Sequence, residues 1–100
     1  MERRILTTDE LADALRDLDG WTVDGKMLKK RLKFENFTEA LEFVNQVGAL
    51  AETADHHPDI TFGWGYAEVA LTTHDRGGIT DVDIALARQI DQVPGQNRER

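Results

Sequence analysis

Three segments of the chain carry apolar residues at every third or fourth position, which is the spacing of one face of an α-helix. These predicted helices cover residues 8–18, 37–54 and 81–93. The last of them has two apolar residues, Ile84 and Ala87, that lie off its apolar stripe. We therefore expect this helix to contact a partner subunit as well as its own core.

Each predicted helix follows a residue whose side-chain oxygen can accept a hydrogen bond from the first turn, namely Thr7, Asn36 or Thr80. Thr7 and Glu10 also have the spacing of a capping box. The long central helix is expected to end by His57, because Pro58 disfavours helical geometry in the residue before it.

Between the helices, apolar residues alternate with polar ones, which is the pattern of strands with one buried and one exposed face. The predicted strands cover residues 21–23, 27–34, 60–64 and 66–73. Asp24-Gly25 indicates a tight hairpin in the first pair, whereas Gly63 and Gly65 indicate a bulge or bend in the second. The predicted fold is α+β: a four-stranded antiparallel sheet with three helices packed on one face, in the order α-β-β-α-β-β-α.

The second strand has an unusual charge pattern. Lys29, Arg31 and Lys33 share its polar face, and Lys30 interrupts its apolar face. The basic row could bind an anion, but the solvated face of a strand near the edge of a sheet is the simpler interpretation.

A chain of 100 residues is the size of one domain, and 40% apolar with 31% charged residues is typical of soluble globular proteins. We expect residues 1–100 to form one domain, with 94–100 as a flexible tail. The formal charge of −7 disfavours nucleic-acid binding. No apolar run has the length of a membrane span or a signal peptide, so we expect a cytoplasmic protein without membrane contact.

All three histidines lie between residues 56 and 74, and histidine changes its charge nearest to neutral pH. His56 and His57 follow the central helix, whereas His74 ends the last predicted strand. A helix end and a strand end can meet at one rim of a sheet, so we expect the three imidazoles to converge on one pocket. The flanking carboxylates Glu52, Asp55, Asp59 and Asp83 could tune or orient the imidazoles. Glu52 lies one helical turn before His56, and Asp83 could close the same rim.

Other interpretations of these residues remain open. Trp21 and Trp64 could form flat apolar walls for a planar ligand, or could belong to the core. Three histidines also suit zinc, but the chain has no His-x-x-x-His or Glu-x-x-His pair on one helix face, so no metal site is predicted. The chain has no serine and no cysteine, which excludes those nucleophiles.

The spacing of these residues resembles the pterin-4a-carbinolamine dehydratase family (4a-hydroxytetrahydrobiopterin dehydratases). The family pattern is an acidic residue, then His-His-Pro, an aromatic residue, Thr-His at a strand end and Asp in the following helix. The matching residues are Glu52, His56-His57-Pro58, Trp64, Thr73-His74 and Asp83, with Gly78-Ile79-Thr80 at the turn before the last helix. The resemblance extends over nearly the whole chain, although Trp64 stands where Tyr is frequent.

The resemblance implies a hydro-lyase that removes water from a 4a-hydroxytetrahydropterin to give a quinonoid dihydropterin, and so supports recycling of the pterin cofactor of aromatic hydroxylases. It implies no metal and no other cofactor. It implies His57 and His74 as proton-transfer groups and His56 as a pterin-contacting or acidic group. Glu52 would orient a histidine, and Asp83 would orient His74 or contact the ligand.

The resemblance also implies that Trp21 and Thr73 belong to the substrate-binding region, with Trp21 as a pocket wall. It implies a homodimer or homotetramer, in which sheet edges pair and helices pack between subunits. The alternative is a non-catalytic oligomeric binding module, or a partner of a transcription factor, built on the same fold.

Overall fold

In the computed structural model, which describes residues 4–94, three helices and four strands follow one another in the predicted order. The helices are α1 (Thr8–Leu15), α2 (Phe37–Ala54) and α3 (Asp81–Asp91). The strands are β1 (Thr22–Asp24), β2 (Met27–Lys33), β3 (Asp59–Gly63) and β4 (Tyr66–Leu71). Of the predicted tail, residues 95–100 lie outside the described part of the chain. Within the described part, no helix has both the length and the apolar character needed to cross a membrane.

The helices begin where the sequence predicts, because the capping side chains make the expected hydrogen bonds. Asn36 accepts one from the backbone N–H of Glu39, and Thr7 forms a capping box with Glu10. Arg4 also donates a hydrogen bond to Glu10, and this bond is the main reason that the pKa of Glu10 lies below its usual value.

Two helices end earlier than predicted, α1 at Leu15 rather than at residue 18 and α3 at Asp91 rather than at residue 93. In both cases the chain tightens into turns with hydrogen bonds between residues three apart, such as Leu18 N–H to the Leu15 carbonyl and Val93 N–H to the Ile90 carbonyl. Leu18 and Val93 therefore remain in the core although they lie beyond the helices.

The four strands form one antiparallel sheet in the order β1-β2-β4-β3. Both hairpins have two-residue turns, Gly25-Lys26 and Trp64-Gly65, and Gly25 and Gly65 have φ angles of 63° and 84°. The predicted bulge or bend near Gly63 is therefore wrong: the glycines there serve a tight turn that needs a positive φ. Strand β4 ends at Leu71, two residues before the predicted end.

One face of the sheet and the inner sides of the helices form the core. Leu28, Val69 and Leu71 from the sheet are fully buried in it, and α2 contributes Phe43 and Val47. The expectation that α3 contacts a partner subunit rested on Ile84 and Ala87, but this chain already covers both residues. Ile84 is 5% exposed and Ala87 is 0% exposed within this chain. Because α3 packs against α2 as well as lying in the core, more than one side of it is buried by its own chain.

Lys30 interrupts the apolar face of β2 because it reaches a carboxylate on α3. Its Nζ donates a hydrogen bond of 2.9 Å to Asp91 Oδ1, and Trp21 Nε1 donates one of 3.0 Å to the same oxygen. The Lys30 and Asp91 side chains are 11% and 17% exposed. This partly buried cluster ties β2 to the end of α3.

Two of the three residues in the basic row on the opposite face of β2 have partners within the sheet. Lys29 contacts Asp24, whose hydrogen bond raises the pKa of the lysine, and Arg31 lies over the Tyr66 ring at 4.2 Å from its centroid. Arg31 and Lys33 are exposed, in agreement with the interpretation as a solvated face.

We predict that Lys30→Met lowers the free energy of unfolding by about 1–3 kcal/mol, because it removes a charged donor from the partly buried Asp91 carboxylate. Urea unfolding measures this difference. The control is Lys33→Met, at an exposed position of the same strand, which should change stability by less than about 0.5 kcal/mol. Equal stabilities of the two variants would contradict the role given to Lys30.

Candidate functional site

The end of α2 determines the directions of His56 and His57. Asp55 has a left-handed backbone, with φ of 52° and ψ of 43°, and its N–H bonds to the carbonyls of Ala51 and Glu52. The N–H of His56 bonds to the Ala51 carbonyl at 3.1 Å, so the helix ends in a Schellman motif. Among the described non-glycine residues, Asp55 alone has a positive φ. Helical geometry therefore stops one residue before the histidine pair.

His56 is directed into the protein, where it meets Asp83. The two side chains are 7% and 0% exposed, and His56 Nε2 lies 2.5 Å from Asp83 Oδ1. From the sequence, Glu52 was placed one helical turn from His56, and the resemblance implied that Asp83 orients His74 or contacts the ligand. The structure differs, because the left-handed residue separates His56 from the helix face that carries Glu52.

The second oxygen of Asp83 is also satisfied. Asp83 Oδ2 accepts hydrogen bonds from the Thr73 hydroxyl at 3.0 Å and from the backbone N–H of Thr80 at 2.9 Å. The hydroxyls of Thr73 and Thr80 lie 2.7 Å apart. Since the single hydrogen of the Thr73 hydroxyl is given to Asp83, the Thr80 hydroxyl is the donor between the two threonines.

This network determines the tautomer of His56. An ionised carboxylate only accepts hydrogen bonds, so His56 carries a hydrogen on Nε2. The remaining ring nitrogen, Nδ1, makes no side-chain hydrogen bond within residues 4–94. A neutral His56 therefore has a free acceptor in a nearly buried ring.

His57 lies on the outer side of the same turn and bonds to Glu52. Its Nε2 is 2.6 Å from Glu52 Oε2, and the two side chains are 55% and 77% exposed. Each histidine of the pair thus has its own carboxylate, one buried and one in contact with solvent. Neighbouring histidines therefore have unlike environments.

His74 follows β4 at the same rim of the sheet. Thr73 forms a β-bridge with Gly78, and the tight turn between them leaves His74 exposed. An open cavity of about 420 Å³ lies at this rim. Its lining residues are Asp55, His56, His57, Thr72, Thr73, His74 and Asp75. The three imidazoles thus line one concavity, the arrangement that the sequence predicted.

The two tryptophans do not line this cavity. Trp21 is 5% exposed and packs in the core beside Lys30. Trp64 is 73% exposed at the tip of the β3-β4 hairpin, at the end of β4 away from His74. Within a single chain, neither residue supplies the flat wall that was expected.

Three residues of the site were not assigned to it from the sequence. Thr72 and Asp75 line the cavity, and Thr80 belongs to the hydrogen-bond network. Asp75 is the immediate neighbour of His74, and this adjacency was the available signal. Asp55, which was named as a flanking carboxylate, also lines the cavity. Among the described residues, no group of three His, Asp or Glu side chains could hold a metal ion.

Comparison with known proteins assigns the chain to a family. The family model described as pterin 4 alpha carbinolamine dehydratase matches residues 4–93. The chain belongs to this family. The match covers every described helix and strand together with the cavity.

Relatives of the chain include bacterial and archaeal proteins of the dehydratase family. A protein of Rubrobacter xylanophilus, provisionally named pterin-4-alpha-carbinolamine dehydratase, is 47% identical in an alignment of 89 residues. The alignment covers 88% of this chain and 83% of the relative. A protein of Sulfurisphaera tokodaii with the same provisional name is 41% identical over 88% of this chain and 95% of its own length.

Two solved structures are similar to this chain. A transcriptional coactivator/pterin dehydratase from Brucella melitensis is 39% identical, with a TM-score of 0.83 over 88% of this chain and 96% of that one. A pterin dehydratase-like protein, identified as a RuBisCO assembly factor in the alpha-carboxysome, is 28% identical, with a TM-score of 0.58 over 71% of this chain and 82% of that one. The dehydratase fold thus occurs in proteins to which other roles are ascribed.

We predict that Thr73→Val lowers the free energy of unfolding by about 1–3 kcal/mol. The substitution keeps the side-chain volume but removes one of the two donors to Asp83 Oδ2 and the acceptor of the Thr80 hydroxyl. Urea unfolding measures the change. Thr61→Val, at an exposed position of β3, is the matched control. If both variants unfold at the same urea concentration with the same slope, the buried network contributes nothing.

Proposed function

We propose that this chain is a 4a-hydroxytetrahydropterin dehydratase that uses histidines for general acid–base catalysis and serves pterin cofactor recycling. The observation that carries the proposal is the convergence of three imidazoles on one cavity, two of them hydrogen-bonded to carboxylates. Membership of the dehydratase family supplies the class of substrate.

The proposed reaction needs two proton transfers. The C4a–O bond of the substrate breaks, and the hydroxyl group leaves as water after it receives a proton. The ring nitrogen N5 loses its proton, and its electron pair forms a double bond to C4a. The product is the quinonoid dihydropterin, and the proton gained by the hydroxyl balances the proton lost from nitrogen.

His57 is the proposed base. Its Nε2 is held by Glu52, which leaves Nδ1 to accept a proton, and the Glu52 carboxylate is a ready ion partner for the imidazolium that forms. His74 is the proposed acid. Its ring makes no side-chain hydrogen bond within the described part of the chain, so it can turn towards the leaving hydroxyl.

His56 is proposed to hold the pterin rather than to exchange protons with it. Its ring is fixed by Asp83, and its acceptor nitrogen suits an N–H group of the heterocycle. Thr73 is assigned a positioning role, because it is 1% exposed and its hydroxyl is used within the Asp83 network.

The proposal predicts that His57→Ala and His74→Ala each lower kcat for carbinolamine dehydration by about 10²–10⁴-fold, the usual contribution of a positioned acid or base. The decay of enzymatically generated carbinolamine is followed by absorbance. Lys33→Met, which lies outside the cavity, should retain the wild-type rate. Wild-type rates in folded His57→Ala and His74→Ala variants would exclude the assigned roles.

A non-catalytic function is the second candidate, and it is favoured by the roles ascribed to the two structural relatives. In that case the chain would act by binding a protein partner through the same fold. Isolation of a stable partner, together with no dehydration by the wild-type protein, would support this candidate over the enzyme.

We also propose that the protein is a cytoplasmic homodimer or homotetramer. The outer edges of β1 and β3 have no neighbouring strand within the described residues, and such edges pair readily with another chain. Sedimentation analysis tests the subunit count, and a monomer at micromolar concentration would contradict the proposal.

A further inference from the structure

The outer edge of β3 is flanked by apolar side chains that a single chain leaves partly uncovered. Ile60 and Phe62 of this strand are only half-buried, and the Phe37 ring stacks on Phe62 with 5.4 Å between the centroids. Phe37 is 44% exposed, and Trp64, just beyond the strand, is 73% exposed. The strand has one charged residue, Asp59 at its start, and no lysine. It therefore has little of the charge that usually protects an edge strand from pairing.

The backbone of β3 is arranged to pair with another strand at this edge. Gly63 and Tyr66 flank the two-residue turn and form a hydrogen-bonded pair. Every second residue, counted back from Gly63, therefore directs its N–H and C=O towards β4. Ile60 and Phe62 lie between these residues and direct theirs towards the outer edge, where the described part of the chain has no strand.

One register pairs the whole strand with an antiparallel copy of itself. A two-fold axis at Thr61, the middle residue of β3, places Ile60 opposite Phe62 of the second copy, and both residues have outward N–H and C=O groups. An axis at Ile60 would place Phe62 opposite Pro58, which has no N–H. An axis at Phe62 would place Ile60 opposite Trp64, which belongs to the turn. Hydrogen bonding therefore favours the axis at Thr61.

This register brings Trp64 of the second copy to the histidine cavity. One step beyond the paired strands, that tryptophan lies opposite Pro58, and directly opposed residues are about 5 Å apart. Pro58 follows His57, which lines the cavity, and one residue of extended chain advances about 3.3 Å. Within its own chain, Trp64 is at the end of β4 away from the cavity. Across the two-fold axis, it is beside the cavity of the other chain.

We propose that a second copy of the chain completes the site, and that its Trp64 forms the flat wall that a single chain lacks. The proposal rests on the proposed function and adds a substrate-binding residue to it. Each Trp64 serves the cavity of the other chain, where the indole stacks on the face of the planar pterin ring. It takes no part in proton transfer.

Cross-linking tests the register. The chain has no cysteine, so Thr61→Cys introduces one thiol per chain, at the two-fold axis. Residues opposed there have Cα atoms about 4.5 Å apart, which a disulfide can span. Oxidation by dissolved oxygen should therefore convert this variant into a covalent dimer. Thr22→Cys, at an exposed position of the other edge strand, β1, is the control, and equal cross-linking of the two variants would overturn the proposal.

Kinetics tests the role of the indole. Trp64→Ala should raise KM for the carbinolamine at least about fivefold and change kcat less, because stacking contributes to binding whereas the histidines are untouched. Trp64→Phe keeps a flat ring and should retain most of the affinity. A wild-type KM in Trp64→Ala would contradict the proposed wall.

Mixed dimers show which chain the tryptophan serves. When a Trp64→Ala chain pairs with a His74→Ala chain, the cavity of the first has all its histidines and receives Trp64 from the second. Random pairing of equal amounts makes about half of the dimers mixed, with one complete site in each, so we expect about a quarter of the wild-type kcat/KM. The control is a mixture of His57→Ala and His74→Ala, which alter one and the same cavity and should give no recovery.

A mixture of Trp64→Ala and His74→Ala no more active than the mean of its two parents would overturn the inference. The proposed function would stand in that case, because the wild-type protein would still dehydrate the carbinolamine. A wild-type protein that does not dehydrate it would refute the proposed function, and the role of Trp64 with it. The two failures are therefore distinguishable in one set of measurements.

Discussion

The structure of the site depends on one buried carboxylate. Asp83 is fully buried, and a charge without contact to solvent is tolerated only when donors surround it. Its donors come from three places in the chain: the imidazole of His56, the hydroxyl of Thr73 and the backbone N–H of Thr80. The end of α2, the end of the sheet and the start of α3 are thereby fixed relative to one another.

The same carboxylate serves two purposes that are usually separate. Asp83 completes the capping box of α3, in which its side chain accepts a hydrogen bond from the residue that precedes the helix. Its other oxygen orients an imidazole from a segment 27 residues earlier. One side chain therefore both caps α3 and orients His56.

The fold could be predicted closely from the sequence, because its signals are local. The capping residues, the period of the apolar positions and the hairpin signal of Asp24-Gly25 all act over a few residues. Other features depend on residues that are distant in the sequence. Lys30 disturbs the pattern of β2 only because Asp91 lies opposite it, and Ile84 is covered by the chain's own core rather than by a partner.

The site, like the fold, has some features that local signals predict and others that depend on its three-dimensional structure. The convergence of the three histidines could be anticipated from the ends of the elements that carry them, but their partners could not. A spacing of one helical turn predicts a contact between Glu52 and His56. Because Asp55 has a left-handed backbone, Glu52 bonds to His57 instead. The backbone conformation of one residue thus decided which carboxylate bonds to which imidazole. The pattern of apolar positions does not predict that conformation.

The double duty of Asp83 constrains how this fold can change over evolutionary time. A lineage that abandons catalysis can replace His57 and His74 freely, because both are exposed and neither supports the core. It cannot replace Asp83 as freely, since the last helix would lose its cap and His56 its partner. Descendants with another function are thus expected to keep the buried threonines and aspartate after the exposed histidines have been replaced.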